Sequence, residues 1–296
     1  MIKILVLGEF TNNFFNELNQ YYHVVSADKS DLNDIDILIV RSSTNVDKNL
    51  VDRMPKLKLV ISPTHGRDHI DKNYLNEKKI ECKTVTVLSY DVAQGVIGYI
   101  LAHSTNLIKA NNSIKDGHWK KSELIGSRVK GKTIGIVGYG KVGKEVAKLS
   151  LALGMKVLIY DPYVESDKNV VKLVNLNEVL ERSDFVSLCV PLTEETKGMI
   201  GKEEFDKMKK GSYLINVSRG EVVDEKALLE ALRQVRISGA ALDVFKQEPP
   251  TSHIYKKIMK FDNVIVTPHS IAQTKESMDE KNREVIKLVH EFKKIE

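Results

Sequence analysis

Apolar positions follow two rhythms along this chain. Short, almost continuously apolar runs at Ile2–Leu7, Val24–Ser26, Ile35–Val40, Leu57–Ile61 and Ile80–Val87 alternate with amphipathic stretches. Strands read this way when both faces of a parallel sheet are covered, so the first hundred residues predict a small doubly wound α/β domain of about five strands. A second series follows at Thr133–Val137, Lys156–Tyr160, Asp184–Val190, Ser212–Val217, Gly239–Leu242 and Asn263–Val266. Strands separated by helical stretches in this way match two βαβαβ halves. Between the two series, Asp91 with Gln94 three residues on predicts a capped, apolar helix running to about Ala110, then a polar stretch over 111–132. The last segment, Gln273–Phe292, carries Met278, Val285, Ile286, Val289 and Phe292 on one helical face and needs a surface to cover it.

Composition narrows the class. With 42% hydrophobic and 29% charged residues, the 296-residue chain has ordinary globular composition, which excludes a disordered or fibrous protein. Its longest apolar runs fall far short of the ~20 residues that cross a bilayer, and Met1–Gly8 is too short for a signal peptide, so the expectation is a cytoplasmic protein without a membrane span. Cys82 and Cys189 lie in apolar surroundings far apart in sequence, which indicates core residues and no disulfide framework or metal site. The net charge of +5 is spread among acidic residues and forms no basic patch, so a nucleic-acid partner is not expected.

The strongest local signal is Gly138-Tyr-Gly140-Lys-Val-Gly143, placed between a predicted strand and an amphipathic helix over Lys141–Leu153. Gly138 permits the tight turn, Gly140 lets the backbone approach a pyrophosphate at the helix N-terminus, and Gly143 lets helix and strand pack closely. The next strand ends in Asp161, where a carboxylate can bind both ribose hydroxyls of an adenosine and would repel a 2′-phosphate, which favours NAD over NADP. Further strands end in Ser218-Arg219-Gly220, in Asp243 with Glu248 in the loop beyond, and in His269. The carboxyl ends of parallel strands line the ligand crevice, so these groups can converge. An anion clamp, an orienting carboxylate and a proton acceptor are what hydride transfer at a hydroxyl carbon requires. Taken singly, Arg219, Glu248 and His269 are each ordinary surface residues; His23, His103, His118, His253 and His290 read as structural.

Together these segments resemble the D-isomer-specific 2-hydroxyacid dehydrogenases. The resemblance rests on Gly131–Gly140, Val190-Pro-Leu-Thr193, Asn216-Val-Ser-Arg-Gly220, Ala240–Phe245 leading to Glu248-Pro-Pro250, and Thr267-Pro-His269. It implies a flavodoxin-like substrate domain of residues 1–98 plus 273–296, a Rossmann NAD-binding domain of 99–272, and a homodimer formed around the long helix from Asp91. It assigns Arg219 to the substrate carboxylate, His269 to proton transfer, Glu248 to pairing with that histidine, and Asp243 to the nicotinamide carboxamide. Cofactor contacts are implied for Gly138, Tyr139, Gly140, Lys141, Val142, Gly143, Asp161, Cys189, Val190, Pro191, Thr196, Val217, Ser218 and His269. Substrate contacts are implied for Arg41, Ser42, Thr64, His65, Gly66 and Arg219.

Val40-Arg-Ser-Ser-Thr44 is most similar to the phosphoglycerate dehydrogenase branch, whose arginine at this place helps receive an anionic substrate. Departures are Pro63, His65 and Arg67 in the substrate loop, Gln94 where the family carries Glu, and Ser270-Ile271 in place of Ile-Gly. Because the sequence stops at Glu296, regulatory domains of longer relatives, and serine feedback through them, are not expected. Rival readings are a glyoxylate or hydroxypyruvate reductase and, from another class, an NAD-sensing regulatory protein of the corepressor type. Glu248 argues against formate dehydrogenase, which carries Gln there.

Overall fold

A computed structural model describes residues 2–26, 32–41, 43–64, 66–85, 89–164 and 172–295. The chain divides into two compact units, residues 1–88 with 274–296, and residues 89–273.

The first unit contains β1 (Lys3–Leu7), α1 (Asn12–Asn19), β2 (His23–Ser26), β3 (Ile37–Val40), α2 (Lys48–Val51), β4 (Leu59–Ser62), α3 (Lys72–Glu77) and β5 (Glu81–Thr84). All its strands are parallel, in the order β2-β1-β3-β4-β5, which is the flavodoxin-like arrangement. Alternation along the strands feeds two cores. Ile4, Val6, Ile37, Ile39, Leu59 and Ile61 join one; Leu5, Leu38, Val40 and Val60 join the other, with Val51, Met54, Ile70 and Leu75.

The second unit contains α4 (Ser89–Ser104), α5 (Leu107–Lys115), β6 (Thr133–Val137), α6 (Lys141–Ala152), β7 (Lys156–Tyr160), β8 (Lys172–Leu173), α7 (Leu176–Arg182), β9 (Phe185–Leu188), α8 (Lys202–Lys207), β10 (Tyr213–Asn216), α9 (Glu225–Arg233), β11 (Gly239–Leu242), α10 (His253–Ile258) and β12 (Val264–Val266). Its seven-stranded parallel sheet runs β12-β11-β10-β9-β6-β7-β8, so the strand order reverses between β6 and β9. The last helix, α11 (Lys275–Ile295), returns to the first unit. There Val285, Ile286, Val289 and Phe292 enter the core beside Phe14 and Leu18, supplying the covering surface that the periodicity demands.

Four expectations need correction. The helix predicted over Asp91–Ala110 is two helices, because Asn106 adopts a left-handed conformation (φ +53°) and its amide binds the Ile125 carbonyl. Asp91 is not its cap but lies in its first turn. The domain boundary falls at 88/89 rather than 98/99, since α4 packs on α6 and its Ala93, Val96, Tyr99 and Ile100 belong to the core of the second unit. The second sheet also gains the two-residue edge strand β8, too short to leave a pattern in sequence. Cys82 and Cys189 are free thiols, partly buried and packed against the cores of their units, as expected.

Candidate functional site

The glycine turn leaves β6 at its carboxyl end. Gly138 has φ +96°, and a Cβ there would lie 2.8 Å from the Cys189 carbonyl, so the chain can turn and pass β9 only without a side chain. Gly143 sits against the Gly138 carbonyl, where a Cβ would approach to 2.1 Å. Gly140 differs: it caps the twelve-residue helix α6, and nothing lies within 4 Å of where its Cβ would be. An open backbone surface at a helix N-terminus, at the positive end of the helix dipole, fits a pyrophosphate.

Asp161 follows β7 and closes this turn. One of its carboxylate oxygens accepts from the Tyr139 N–H at 2.7 Å and the other from the Tyr163 N–H at 2.9 Å. The Tyr139 ring is buried in the core of its unit, and its amide is the donor held by Asp161. Cys189, Val190 and Pro191 leave β9 beside the turn, and Thr196 pins their loop by donating to the Pro191 carbonyl at 2.6 Å. Lys141 and Val142 open α6, and Val217 and Ser218 leave β10.

Arg219 is aimed by a residue that sequence reasoning passed over. Asn216, 1% exposed, accepts from the Ser218 N–H at 3.1 Å and the Ser218 hydroxyl at 2.8 Å, while its amide donates to the Arg219 carbonyl at 2.8 Å. A buried amide with its oxygen and nitrogen both engaged rigidifies the turn, and in sequence it showed only as a polar residue closing an apolar strand at the head of the Arg219 motif, with no role of its own. At Gly220 a Cβ would stand 2.0 Å from the Phe245 backbone, so the Arg219 turn lies directly on the loop bearing Glu248.

Glu248 and His269 meet, with Nδ1 of the imidazole 2.9 Å from the carboxylate; the two side chains are 40% and 41% exposed. Burial would raise the Glu248 carboxyl, but the His269 hydrogen bond and charge, the Phe245 N–H at 3.1 Å and the Arg219 guanidinium together hold it below its ordinary value. An ionised Glu248 accepts a hydrogen bond from Nδ1–H, which leaves Nε2 as the basic nitrogen. Asp243 is 2% exposed, and its carboxylate accepts from Thr267 Oγ1, from the Ser270 N–H at 2.9 Å and from the Ile271 N–H at 3.2 Å. It therefore anchors the loop carrying His269.

In the first unit, Arg41 leaves β3 with its guanidinium 4.7 Å above the Phe10 ring and Nη2 against Met278 Sδ at 3.9 Å. Its Nε is buried with no hydrogen-bond partner among the described residues. Burial pulls this guanidinium below its ordinary value and Glu9 pulls it back up. Thr64 leaves β4, exchanges a hydrogen bond with the buried Ser62 hydroxyl at 2.9 Å and donates to the Gly66 carbonyl at 2.8 Å. His69, unremarked in the sequence, completes that network at 3.0 Å from Ser62. Ser42 and His65 lie outside the described residues. Among the described residues no cluster of His, Cys, Asp or Glu could hold a metal ion, and no helix is long and apolar enough to cross a membrane.

Residues 97–270 match the family described as D-isomer specific 2-hydroxyacid dehydrogenase, NAD binding domain. The chain is 38% identical over 257 residues to a hydroxypyruvate reductase of Thermotoga maritima, covering 86% of this chain and 84% of that one. It is 37% identical over 289 residues to a D-3-phosphoglycerate dehydrogenase of Methanocaldococcus jannaschii, covering 94% of this chain but 55% of that protein, so it spans about half the length of that relative. Among solved structures, D-lactate dehydrogenase from Aquifex aeolicus, complexed with NAD and lactic acid, superposes with a TM-score of 0.89 at 30% identity, covering 98% and 95% of the two chains.

Proposed function

The chain belongs to the D-isomer specific 2-hydroxyacid dehydrogenase family with NAD as its cofactor, and from that premise we propose that its substrate pair is 3-phosphoglycerate and 3-phosphohydroxypyruvate. NAD, when bound, supplies the hydride acceptor, and the remaining work falls to the protein's own side chains. In the oxidative direction, Nε2 of His269 takes the substrate hydroxyl proton. Glu248, ionised at 2.9 Å, stabilises the resulting imidazolium and fixes the ring. Arg219 receives the carboxylate through charge-assisted hydrogen bonds.

The observation that supports a phosphorylated substrate is Arg41, a cation that leaves the carboxyl end of β3 and is held over the Phe10 ring. A phosphate gives such a group charge-assisted bonds that two-carbon glyoxylate cannot. Loss of a charged hydrogen bond removes about 1.5 to 3 kcal/mol, so Arg41→Ala should lower kcat/KM for 3-phosphohydroxypyruvate by roughly 10- to 100-fold and spare glyoxylate. Equal losses on both substrates would remove the support. The second reading, a glyoxylate or hydroxypyruvate reductase, is favoured by the near full-length match to the Thermotoga maritima protein. For a partner we propose a second copy of the chain. Leu107, Ile108 and Ile114 of α5 and the following Trp119 and Ile125, both 81% exposed, are the apolar residues that support it, since exposed apolar surface marks protein–protein contact.

A further inference from the structure

Helix α4 touches the His269 loop at two points four residues apart. At Gly95 a Cβ would stand 2.0 Å from Ile271 Cγ1, so the Ile271 side chain occupies the space that any other residue at 95 would claim. The Ser270-Ile271 departure is thereby explained: a bulky residue enters the loop where a glycine opens the helix. One turn on, the Tyr99 hydroxyl meets Thr267 Oγ1. Thr267 has a single proton and donates it to the Asp243 carboxylate, which accepts only, so the Tyr99 hydroxyl must be the donor in the first bond. The resulting chain runs in one direction, from Tyr99 to Thr267 to Asp243.

Asp243 in turn holds the Ser270 and Ile271 N–H groups, and its carbonyl accepts the His269 N–H at 2.8 Å. His269 itself has φ +51°, a left-handed conformation that costs a residue with a side chain and persists only where its surroundings enforce it. Tyr99 is 4% exposed in the core of its unit, a rigid place from which to apply that constraint.

We propose that Tyr99 is a positioning residue for the reaction, acting through Thr267 and Asp243 to hold the His269 imidazole in register with Glu248. The inference rests on the reading of His269 as the proton carrier. Aligned hydrogen bonds polarise one another, so the hydroxyl of Tyr99 strengthens the hold of Thr267 on Asp243. Its loss loosens the loop without touching cofactor or substrate.

Four variants test this together: Tyr99→Phe, Thr267→Val, Thr267→Ser and the double Tyr99→Phe/Thr267→Val, with His269→Asn in parallel. Tyr99→Phe is expected to lower kcat by about 3- to 10-fold, the scale of one hydrogen bond, while KM and NADH affinity stay within about twofold. Thr267→Ser, which keeps the hydroxyl, should retain most of the rate, and the double variant should be no slower than Thr267→Val. Wild-type kcat in Tyr99→Phe, multiplied losses in the double variant, or a drop in melting temperature with kcat unchanged would each overturn the proposal. If His269→Asn is inactive while Tyr99→Phe turns over normally, the positioning role alone fails. If His269→Asn itself stays active, the proton-carrier reading fails with it.

Discussion

Glu248→Gln separates the charge of the Glu248–His269 pair from its hydrogen bond. Glutamine has the same shape and its single amide oxygen can still accept from Nδ1 across 2.9 Å, but its NH2 then faces the Phe245 N–H that the second carboxylate oxygen accepts, so the change removes the charge of the pair and the acceptor of that N–H. A hydrogen bond to a charged group contributes about 1.5 to 3 kcal/mol and a neutral one about 0.5 to 1.5, a difference near 1 to 1.5 kcal/mol. The two side chains are 40% and 41% exposed, and solvent screening puts the effect at the lower end. At 1.36 kcal/mol per decade, about 1 kcal/mol is a fivefold fall in kcat for oxidation, where positive charge develops on the imidazole. Glu248→Ala removes the acceptor of His269 Nδ1 as well as that of the Phe245 N–H and should cost more, on the order of 10- to 100-fold. Steady-state oxidation of a D-2-hydroxy acid, with NAD affinity measured separately, gives both numbers. A Gln variant as slow as His269→Asn, or an Ala variant as fast as wild type, would refute the reasoning.

His269→Asn should lower kcat by about 100-fold or more with NAD affinity nearly unchanged, whereas Arg219→Ala should raise KM and lower kcat together. Asp161 should hold NADP well below NAD in kcat/KM, because a carboxylate facing a phosphate dianion at contact costs a few kcal/mol, and Asp161→Ser should narrow the gap. His103, stacked on Tyr213 at 3.8 Å and 3.2 Å from the Ser238 hydroxyl, is pulled down to about 4 by burial first and Lys109 second, from an ordinary 6.5. The unfolded chain therefore takes up the proton first, so the stability is full above pH 6.5 and is lost as pH falls toward 4. After discounting for the half-buried ring, denaturant unfolding at pH 7.5 and 4.5 should show wild type losing about 1 to 2 kcal/mol more than His103→Phe; equal losses would contradict this.

Much of this architecture could be read from the chain because the relevant forces are local and periodic. Thr133–Val137, Lys156–Tyr160 and Gly239–Leu242 are strands with the bounds their apolar runs predict, and the α11 face finds its core. The glycine turn was legible because each glycine answers a steric need that no other residue meets. What stayed hidden is set by tertiary contact. A single left-handed residue, Asn106, splits a periodic helix without altering its pattern. Asn216, Tyr99 and Thr267 look like polar or aromatic residues in core strands and helices, and only the fold reveals that their hydrogen bonds support Arg219 and His269. Tyr139 shows the converse, a motif position whose side chain points into the core.

The most direct test of the account is the ratio of specificity constants, with NADH, for 3-phosphohydroxypyruvate against glyoxylate and unphosphorylated hydroxypyruvate in the wild-type enzyme. A cation held over Phe10 at the end of β3 predicts that the phosphorylated acid wins by at least about tenfold, the worth of one charged hydrogen bond. A higher kcat/KM for glyoxylate or hydroxypyruvate would contradict the phosphoglycerate reading and put the reductase in its place.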